Sequence, residues 1–331
     1  AYRAMKRTQV VRALARHGLD EVPVALTDEV PRATRRRAVL KASKRNGAVQ
    51  LGFRAARSHL IVDMQECQVL TSALVAILPS LRELLAALLG EGEETELRLT
   101  EAANGIDLDF GAGADGALQR VCALSRNVLA REIVRVTVRG EVALHLTPPI
   151  VDIAGVDVAV PSAAFLQPTR EGESLLQEAV QTALTGATRV LDLFAGCGTF
   201  TLALARRARV HAVDCDAEAI AALSAAARNA QKLKPVTVQL RDLFKLPLSP
   251  AELDRFQAAV LDPPRAGALA LSRMLAASKL ARVAYVSCNP ETFARDARVL
   301  RDGGLQIEFV RPIDQFLWSS HIELVALLRR R

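Results

Sequence analysis

A short glycine-containing stretch at residues 190–200 constrains the fold of this chain more than any other feature. Its sequence, VLDLFAGCGTF, predicts an apolar strand, a tight turn at Gly196 and Gly198, and the start of a helix. Glycine lets the backbone approach a ligand closely in such a turn, at the carboxyl edge of a parallel sheet. Asp214 ends the next predicted strand, where an acidic side chain suits a pair of ribose hydroxyls.

The glycine spacing narrows the choice of cofactor. A dinucleotide-binding loop requires a third glycine where the helix opens, and no glycine follows Gly198 before Leu202. The stretch resembles the S-adenosylmethionine loop of class I methyltransferases. Another nucleotide-binding α/β fold is the alternative.

Composition sets broad limits on the protein. The chain has 331 residues, of which 50% are hydrophobic and 24% charged, so it can bury a sizeable core in one large or two ordinary domains. It has no signal-peptide pattern and no uninterrupted apolar run of about 18 residues, so we expect no membrane association. Its five cysteines form no C-x-x-C pair, which favours a reducing, cytoplasmic setting. The chain begins at Ala1 inside an amphipathic pattern, which suggests a fragment of a longer protein.

The net charge of +7 favours a polyanionic partner. Much of it is concentrated between residues 32 and 45, a run without acidic residues that contains Arg32, Arg35, Arg36, Arg37, Lys41, Lys44 and Arg45. This run could be a solvated strand edge or a patch that contacts phosphates. We expect a polyanionic partner and a monomeric protein.

The first half of the chain predicts a small α+β domain over residues 1–150. The pattern indicates a helix at 3–17, a long helix at 68–89 interrupted near Pro79, and a helix at 117–125. Strands are predicted at 37–43, 49–54, 59–64, 96–100, 106–110, 134–138 and 142–146, with turns at Asn46-Gly47 and Asn104-Gly105. The domain boundary is placed near Pro148-Pro149.

The second half, residues 151–331, alternates between strands and helices. Strands are predicted at 189–194, 209–213, 236–240, 257–261 and 281–286, followed by a final pair at 306–310 and 322–328. This rhythm predicts an α/β domain with a doubly wound, mainly parallel sheet. Ligands in such sheets bind outside the carboxyl ends of the strands.

Three strand-end segments carry the candidate chemistry. One begins at Asp262 in the sequence DPPR, one contains Cys288 before Asn-Pro, and one leads through His321 to Glu323. Cys288 could be a buried structural cysteine, but a helix N-terminus and nearby arginines would lower the pKa of its thiol. An unpaired Glu323 in an apolar strand is costly, which favours a functional role. His321 could be a base or could orient its neighbours, whereas Cys197 and Cys215 are expected to pack.

With these segments in view, the whole chain resembles the bacterial RNA uracil-5-methyltransferases that act on tRNA and 23S rRNA. The residues Ser-Cys288-Asn-Pro-Glu-Thr-Phe-Ala-Arg-Asp296 resemble the family's nucleophile segment. The residues from Asp314 through His321-Ile-Glu323 resemble its D-x-F-P-x-T-x-H-V-E segment, and Phe165-Leu-Gln167 its F-x-Q element. The departures are Leu317 for proline, Ser319 for threonine and Thr169 for asparagine, which affect local loop geometry.

The resemblance implies a role for each matched residue. Cys288 would be the nucleophile and Glu323 the general base. S-adenosylmethionine would be bound by Gln167, Phe194, Gly196, Asp214 and Asp262.

The chemistry fits these residue types. A thiolate that adds to carbon 6 of uracil makes carbon 5 nucleophilic, and a base must later remove the proton from carbon 5. The target base must leave its stack to enter the pocket. A cytosine-5-methyltransferase would also carry a cysteine in the DPPR loop, and an exocyclic-amine methyltransferase would not need Cys288. A catalytically silent RNA-binding homologue is the alternative from a different class.

The resemblance also implies a role for Cys67 as a metal ligand. In family members directed at 23S rRNA, four cysteines hold an iron–sulfur cluster, and the last lies in a segment like the one around Cys67. Cys67 would then be a ligand of a [4Fe-4S] cluster in the full-length protein, with partners preceding Ala1. A small apolar residue capping the following helix is the alternative. The resemblance thus favours 23S rRNA as the substrate, with tRNA as the other possibility.

Overall fold

The computed structural model describes residues 1–55, 58–111, 121 and 133–330. The helices in these ranges are α1 (Tyr2–Arg16), α2 (Ser72–Ala76), α3 (Leu78–Leu88), α4 (Arg170–Ala183), α5 (Thr201–Ala205), α6 (Ala217–Asn229), α7 (Pro250–Leu253), α8 (Leu269–Ala277) and α9 (Pro290–Asp302). None of the helices in this described part of the chain has the length and apolar character needed to cross a membrane.

The strands in the same ranges follow the predicted pattern closely. They are β1 (Asp28–Glu29), β2 (Arg37–Arg45), β3 (Ala48–Arg54), β4 (Ile61–Asp63), β5 (Glu94–Ala102), β6 (Gly105–Phe110), β7 (Ile133–Val138), β8 (Glu141–His145), β9 (Ile150–Ile153), β10 (Val156–Ala159), β11 (Arg189–Leu193), β12 (Arg209–Asp214), β13 (Val236–Leu240), β14 (Ala258–Leu261), β15 (Arg282–Ser287), β16 (Leu305–Asp314) and β17 (Glu323–Arg330). The short strands β1, β9 and β10 were not predicted, because two to four residues carry little periodicity.

The chain divides into two compact units. Unit 1 comprises Ala1–Val30, Ile153–Val158 and Glu171–Arg331, and unit 2 comprises Pro31–Asp152 and Ala159–Arg170. These units differ from the predicted division into 1–150 and 151–331. Helix α1 belongs to unit 1 because Val10 and Leu14 pack in the hydrophobic core beneath its sheet.

The central sheet of unit 1 has eight strands in the order β1-β16-β17-β15-β14-β11-β12-β13. The five strands from β15 to β13 in this order are mutually parallel. Both faces are covered: Ala258 and Val260 of β14 contact one apolar cluster, while Ala259 and Leu261 contact the other. The predicted doubly wound, mainly parallel sheet is confirmed, and burial on both faces explains why its strands are almost uninterruptedly apolar.

Strand β17 gives this sheet its local reversal of direction. It lies between β15 and β16 and is antiparallel to both. Ser287 of β15 pairs with Leu324 of β17. The amino end of β17 therefore lies at the carboxyl end of β15, the edge at which ligands bind in sheets of this type.

Unit 2 is built on a seven-stranded sheet in the order β4-β3-β2-β5-β6-β7-β8. Its neighbouring strands are antiparallel except for β6 and β7. The predicted long helix is divided into α2 and α3 at Ile77, and Leu81 and Leu85 of α3 pack into the core. The helix predicted at 117–125 lies outside the described residues, apart from residue 121.

A buried carboxylate joins β15 to the helices that follow in unit 1. Oδ2 of Asp296, in α9, accepts a hydrogen bond from the Tyr285 hydroxyl at 2.7 Å and one from the backbone N–H of Ala268 at 2.6 Å. Its Oδ1 accepts from Nε of Arg295 at 2.8 Å. Burial, followed by the negative charge of Asp296, raises the pKa of Tyr285 well above its ordinary value, so the phenol remains a donor.

Removing this donor tests the carboxylate's contribution. Tyr285→Phe should lower the free energy of unfolding by about 1–3 kcal/mol in urea titrations, because a buried charged acceptor loses a partner. Thr185→Val is the matched control, since the hydroxyl of the exposed Thr185 donates to the backbone carbonyl oxygen of Gln181. That variant should lose about 0.5 kcal/mol or less. Equal losses in the two variants would contradict the assignment.

Candidate active site

The two glycines of the turn after β11 serve different purposes. Gly196 has φ +52°, and a Cβ added there would meet no atom within 4 Å. Its backbone N–H donates to Oδ2 of Asp214 at 2.8 Å. Gly198 has φ +98°, and a Cβ there would lie 2.4 Å from Cδ1 of Leu223. Gly196 therefore leaves open surface for a ligand, whereas Gly198 permits the turn to pack against α6.

Two phenylalanines lie at this edge. Phe194 follows β11 in a left-handed conformation, with φ 65°, and is half-buried. Its ring centroid is 5.4 Å from that of Phe244, which is exposed in the segment after β13. Phe244 was not predicted as a site residue, because it lies in none of the motifs found in the sequence.

Asp214, at the end of β12, has a half-buried carboxylate. Its Oδ1 accepts from the backbone N–H of Asp216 at 2.9 Å, in addition to the bond from Gly196. Each carboxylate oxygen retains acceptor capacity for a further donor. The arrangement can bind a pair of hydroxyls in the way the sequence predicted, beside the open surface at Gly196.

A second carboxyl, Asp192, lies completely buried within β11. Its Oδ2 accepts from the Thr201 hydroxyl at 2.5 Å, and its Oδ1 has no hydrogen-bond partner among the described residues. Burial raises the pKa of Asp192 to about 7, and the charge of Asp214 contributes. The strand that precedes the glycine turn therefore contains a carboxyl that can hold a proton near neutral pH.

Cys288 and Glu323 come together through strand register. Because Ser287 pairs with Leu324 in the antiparallel β15–β17 ladder, the next residues along each strand are Cys288 and Glu323. Cys288 is half-buried, and Glu323 is 5% exposed. Residues 35 positions apart in sequence are thus neighbours at the carboxyl edge of the sheet.

The thiol is not activated in the way the sequence suggested. Burial raises the pKa of Cys288 to about 11, and the charges of Glu323 and Asp262 add to this effect. Arg265 acts in the opposite direction, with a smaller effect. The expectation of a lowered pKa was wrong, because burial of the thiol and the charges of two carboxyls outweigh the effect of the arginine.

The two carboxyls also affect each other. Burial, followed by the charge of Asp262, raises the pKa of Glu323 well above its usual value, although a hydrogen bond with Gln315 opposes the shift. Burial, followed by the charge of Asp192, raises the pKa of Asp262 to about 7. Gln315 is buried and had no predicted role, although it lies within the motif that begins at Asp314.

The nucleophile segment also holds the DPPR loop in place. The backbone carbonyl oxygen of Arg265 accepts from Nδ2 of Asn289 at 3.1 Å and from the hydroxyl of Thr292 at 3.0 Å. Arg295 donates to the carbonyl oxygen of Ala266 at 2.9 Å. The asparagine, threonine and arginine of this motif therefore fix the loop that carries Asp262, a structural role that spacing alone did not reveal.

A cavity of about 200 Å³ opens beside Cys288. Arg265, the start of α9, residues 320–322 and Gln9 of α1 line it. His321 is exposed at this cavity, and its ring packs edge-on against Phe316 with centroids 5.7 Å apart. The cavity is large enough for a pyrimidine base.

Two other cysteines of unit 1 differ in exposure. Cys197, within the glycine turn, is buried, as expected of a packing residue. Cys215 is exposed rather than packed. Burial of its sulfur, with the charges of Asp214 and Asp242, raises the pKa of Cys215, so it is not a reactive thiolate.

Gln167 belongs to unit 2, whereas the other predicted cofactor residues belong to unit 1. It is 1% exposed, and its backbone carbonyl oxygen accepts from Nε of Arg36 at 3.2 Å. Nearby, the guanidinium of Arg37 lies 5.6 Å from the ring centroid of Phe165, whose side chain is exposed. The F-x-Q element is thus held by residues of the basic run.

The basic run is largely structural. Arg36 is buried, Lys41 pairs with Glu96 at 2.7 Å, and Nζ of Lys44 donates to a backbone carbonyl at 2.7 Å. Only Arg32 and Arg45 of the seven are exposed. The run is therefore neither a fully solvated edge nor seven free cations, because cross-strand partners and the F-x-Q element engage several of them, and its contact with phosphates stays a prediction.

Cys67 is half-buried and packs against the hydrophobic core of unit 2. The described residues contain no group of three or more side chains suited to holding a metal ion. A [4Fe-4S] cluster requires four ligands, so these residues do not fit one. The iron–sulfur role expected of Cys67 is unsupported.

The doubly wound sheet, the open glycine turn and the strand-end thiol and carboxyls together define a class I methyltransferase. The particular family follows from comparison with known proteins: the family model "tRNA (Uracil-5-)-methyltransferase" matches residues 157–331. The chain belongs to this family, and it is an RNA methyltransferase of the uracil-5 type.

Similar proteins support the same family. An uncharacterized RNA methyltransferase of Brucella suis is 44% identical over 330 residues, which cover 99% of this chain and 79% of that protein. The 23S rRNA (uracil(1939)-C(5))-methyltransferase of Dichelobacter nodosus is 33% identical over 316 residues, or 89% of this chain and 71% of that one.

A solved structure shares the fold. The tRNA (uracil-54, C5)-methyltransferase of Pyrococcus abyssi, in complex with S-adenosyl-L-homocysteine, gives a TM-score of 0.75 at 23% identity. The match covers 98% of this chain and 82% of that one. At this identity the match shows a shared fold.

The charges around Cys288 can be tested by alkylation. Glu323→Gln removes a negative charge and should lower the pKa of Cys288, whereas Arg265→Gln removes a positive charge and should raise it. Each unit by which the pKa falls increases the thiolate fraction at pH 8 about tenfold. The measurement is the pH dependence of iodoacetamide labelling at Cys288, followed by peptide mass spectrometry.

Glu291→Gln is the matched control, because Glu291 lines the same cavity but is not among the groups that shift the pKa of Cys288. Its labelling profile should coincide with the wild-type profile. Shifts of the same sign in the Glu323 and Arg265 variants would refute the electrostatic account.

Proposed function

We propose that this protein uses S-adenosylmethionine to methylate carbon 5 of a specific uridine in RNA, with Cys288 as nucleophile and Glu323 as general base. The observation that carries the proposal is the β15–β17 register, which brings these two residues together at the ligand-binding edge. Membership of the uracil-5-methyltransferase family supports the choice of base and atom.

The glycine turn fits the cofactor. Open space above Gly196, the acceptor oxygens of Asp214 and the face of Phe194 suit an adenosine-containing ligand. Asp262 and Gln167 are assigned to the cofactor by family resemblance. When bound, S-adenosylmethionine supplies the electrophilic methyl group that carbon 5 receives.

Cys288 begins the reaction by adding to carbon 6 of the uracil ring. Its raised pKa means that the thiol gives up its proton only when the surrounding charge changes. Arg265 lines the same cavity and favours the thiolate. Proton uptake by Asp262 or Glu323 removes a negative charge and favours the thiolate further. Addition forms a carbon–sulfur bond and leaves carbon 5 nucleophilic.

Glu323 ends the reaction by taking the proton from carbon 5, after which the carbon–sulfur bond breaks and Cys288 is released. A raised pKa makes Glu323 a stronger base in its ionised form than an ordinary carboxylate. The hydrogen bond with Gln315 favours that ionised form. Elimination should therefore accelerate as pH rises through the pKa of Glu323.

Glu323→Gln separates the two halves of the reaction. Addition and methyl transfer should continue, while release of methylated RNA should slow by about 10²–10⁴-fold, because no base removes the proton. A covalent protein–RNA adduct should accumulate and survive denaturing electrophoresis. Cys288→Ala is the control: it should form no adduct and no product. Normal release by the Glu323 variant would exclude it as the base.

We propose 23S rRNA as the substrate. The similar protein from Dichelobacter nodosus, named for 23S rRNA, supports this choice. The alternative is tRNA, the substrate named for the Pyrococcus abyssi protein and in the family description. Unit 2 would contribute to RNA binding through exposed cations such as Arg32 and Arg45 and the exposed ring of Phe165.

The target can be mapped in cells that lack this protein. One 5-methyluridine should disappear from 23S rRNA, while tRNA keeps its methylation, and the wild-type gene should restore the mark. A gene encoding Cys288→Ala should fail to restore it. Loss of 5-methyluridine from tRNA alone would redirect the assignment to tRNA.

A further inference from the structure

Helix α1 is anchored to the loop between β16 and β17 by a buried lysine. The Lys6 side chain is completely buried, and its Nζ donates to Oδ1 of Asp314 at 3.0 Å. The same ammonium group donates to the carbonyl oxygens of Phe316, at 3.4 Å, and of His321. One cation thus binds the beginning and the end of the loop that precedes Glu323.

Tyr2, one helical turn earlier, holds the middle of this loop. Its hydroxyl donates to Oδ2 of Asp314 at 2.7 Å and accepts from the backbone N–H of Trp318 at 2.8 Å. Oδ1 of Asp314 also accepts from the backbone N–H of Phe316 at 3.0 Å. The loop is therefore fixed at four points by two side chains of α1 and one of β16.

This loop carries the partner of the proposed base. Gln315 lies between Asp314 and Phe316, both of which contact Lys6, and its side chain forms a hydrogen bond with Glu323. His321 lies two residues before Glu323 and also contacts Lys6. Lys6 is therefore connected to Glu323 in two ways. One is through the hydrogen bond between Gln315 and Glu323, and the other is through the backbone between His321 and Glu323.

Burying an ammonium group costs free energy, because the charge is removed from water. Apolar residues of α1, such as Val10 and Leu14, already attach it to the core of unit 1. Replacing a buried ion pair with apolar residues is often neutral or stabilising, so attachment alone does not require a lysine. Three oxygen acceptors at defined positions do require a donor that can satisfy all of them, and Lys has three N–H bonds.

We propose that Lys6 is a positioning residue for the reaction: it fixes the loop at residues 314–322, so that Gln315 holds Glu323 in place for proton removal from carbon 5. The inference rests on the proposed function. Helix α1, which lies outside the segment matched by the family model, is in this view part of the reaction centre.

The test compares two variants of one helix in the full-length protein. Lys6→Met keeps the length of the side chain but removes the cation. Arg7→Met is the matched control, because Nε of Arg7 donates to the carbonyl oxygen of Val24 and does not contact the loop. Turnover on the RNA substrate, KM for RNA, the denaturation-resistant adduct and Tm are measured for each.

We expect Lys6→Met to lower kcat about 10–100-fold, since small misplacement of a reacting group costs rate on this scale. KM for RNA should change less than about threefold, because binding surfaces are retained. The adduct should accumulate, as it does when the base itself is removed. Arg7→Met should show wild-type kcat and no adduct, whatever its Tm.

Two further variants keep the inference testable if Lys6→Met does not fold. Tyr2→Phe removes only the hydroxyl that holds Asp314 and Trp318, and it should lower kcat a few-fold with a detectable adduct. Lys6→Arg retains the charge and should recover part of the lost turnover. Equal kcat in Tyr2→Phe, Lys6→Met and wild type, or a loss of Tm without adduct, would overturn the inference. Absence of 5-methyluridine formation by the wild type would instead overturn the proposed function.

Discussion

Burial of acidic groups close to one another is the constraint on which this site depends. Asp192, Asp262 and Glu323 all have raised pKa values because they are removed from water and lie near one another. Burial and the charges of Glu323 and Asp262 likewise oppose ionisation of Cys288. The thiol and the carboxyls therefore titrate as a set, and the number of protons they share decides whether a thiolate can form. If Cys288 is the nucleophile as proposed, a change in this local charge on ligand binding would favour its thiolate.

A hydrogen-bonded carboxylate of α9 gives this set its fixed geometry. Asp296 joins β15 to the backbone before α8, and its neighbours on α9 hold the carbonyl oxygens of Arg265 and Ala266. The segment that carries Cys288 thus also holds the loop that carries Asp262 in place. The DPPR loop and the segment around Cys288 are separate in sequence but joined by hydrogen bonds. This explains why each contains residues with no chemical role of their own.

The sequence was sufficient to predict the longer strands of unit 1, because they are apolar on both faces and the motifs lie at their ends. It also singled out Cys288 and Glu323, which the β15–β17 register places side by side, while their chemical roles stay predictions. It gave the wrong direction for the pKa of Cys288, since the burial of the thiol and the charges of Asp262 and Glu323 depend on segments distant in the chain. It treated Arg36 as a surface cation, although its partner, the carbonyl oxygen of Gln167, lies 131 residues away. Helix α1 was assigned to the wrong unit because an amphipathic pattern shows that a helix packs, and not where it packs.

The antiparallel insertion of β17 has a consequence for how the protein is made. Both neighbours of this strand, β15 and β16, precede it in the chain. During synthesis the glycine turn and Cys288 are therefore made before β17 can take its place between β15 and β16. The strand that begins with Glu323 is therefore the last part of the sheet to be made. A chain broken before Glu323 would lack both this carboxyl and the strand that joins β15 to β16, so the sheet edge beside Cys288 would be incomplete.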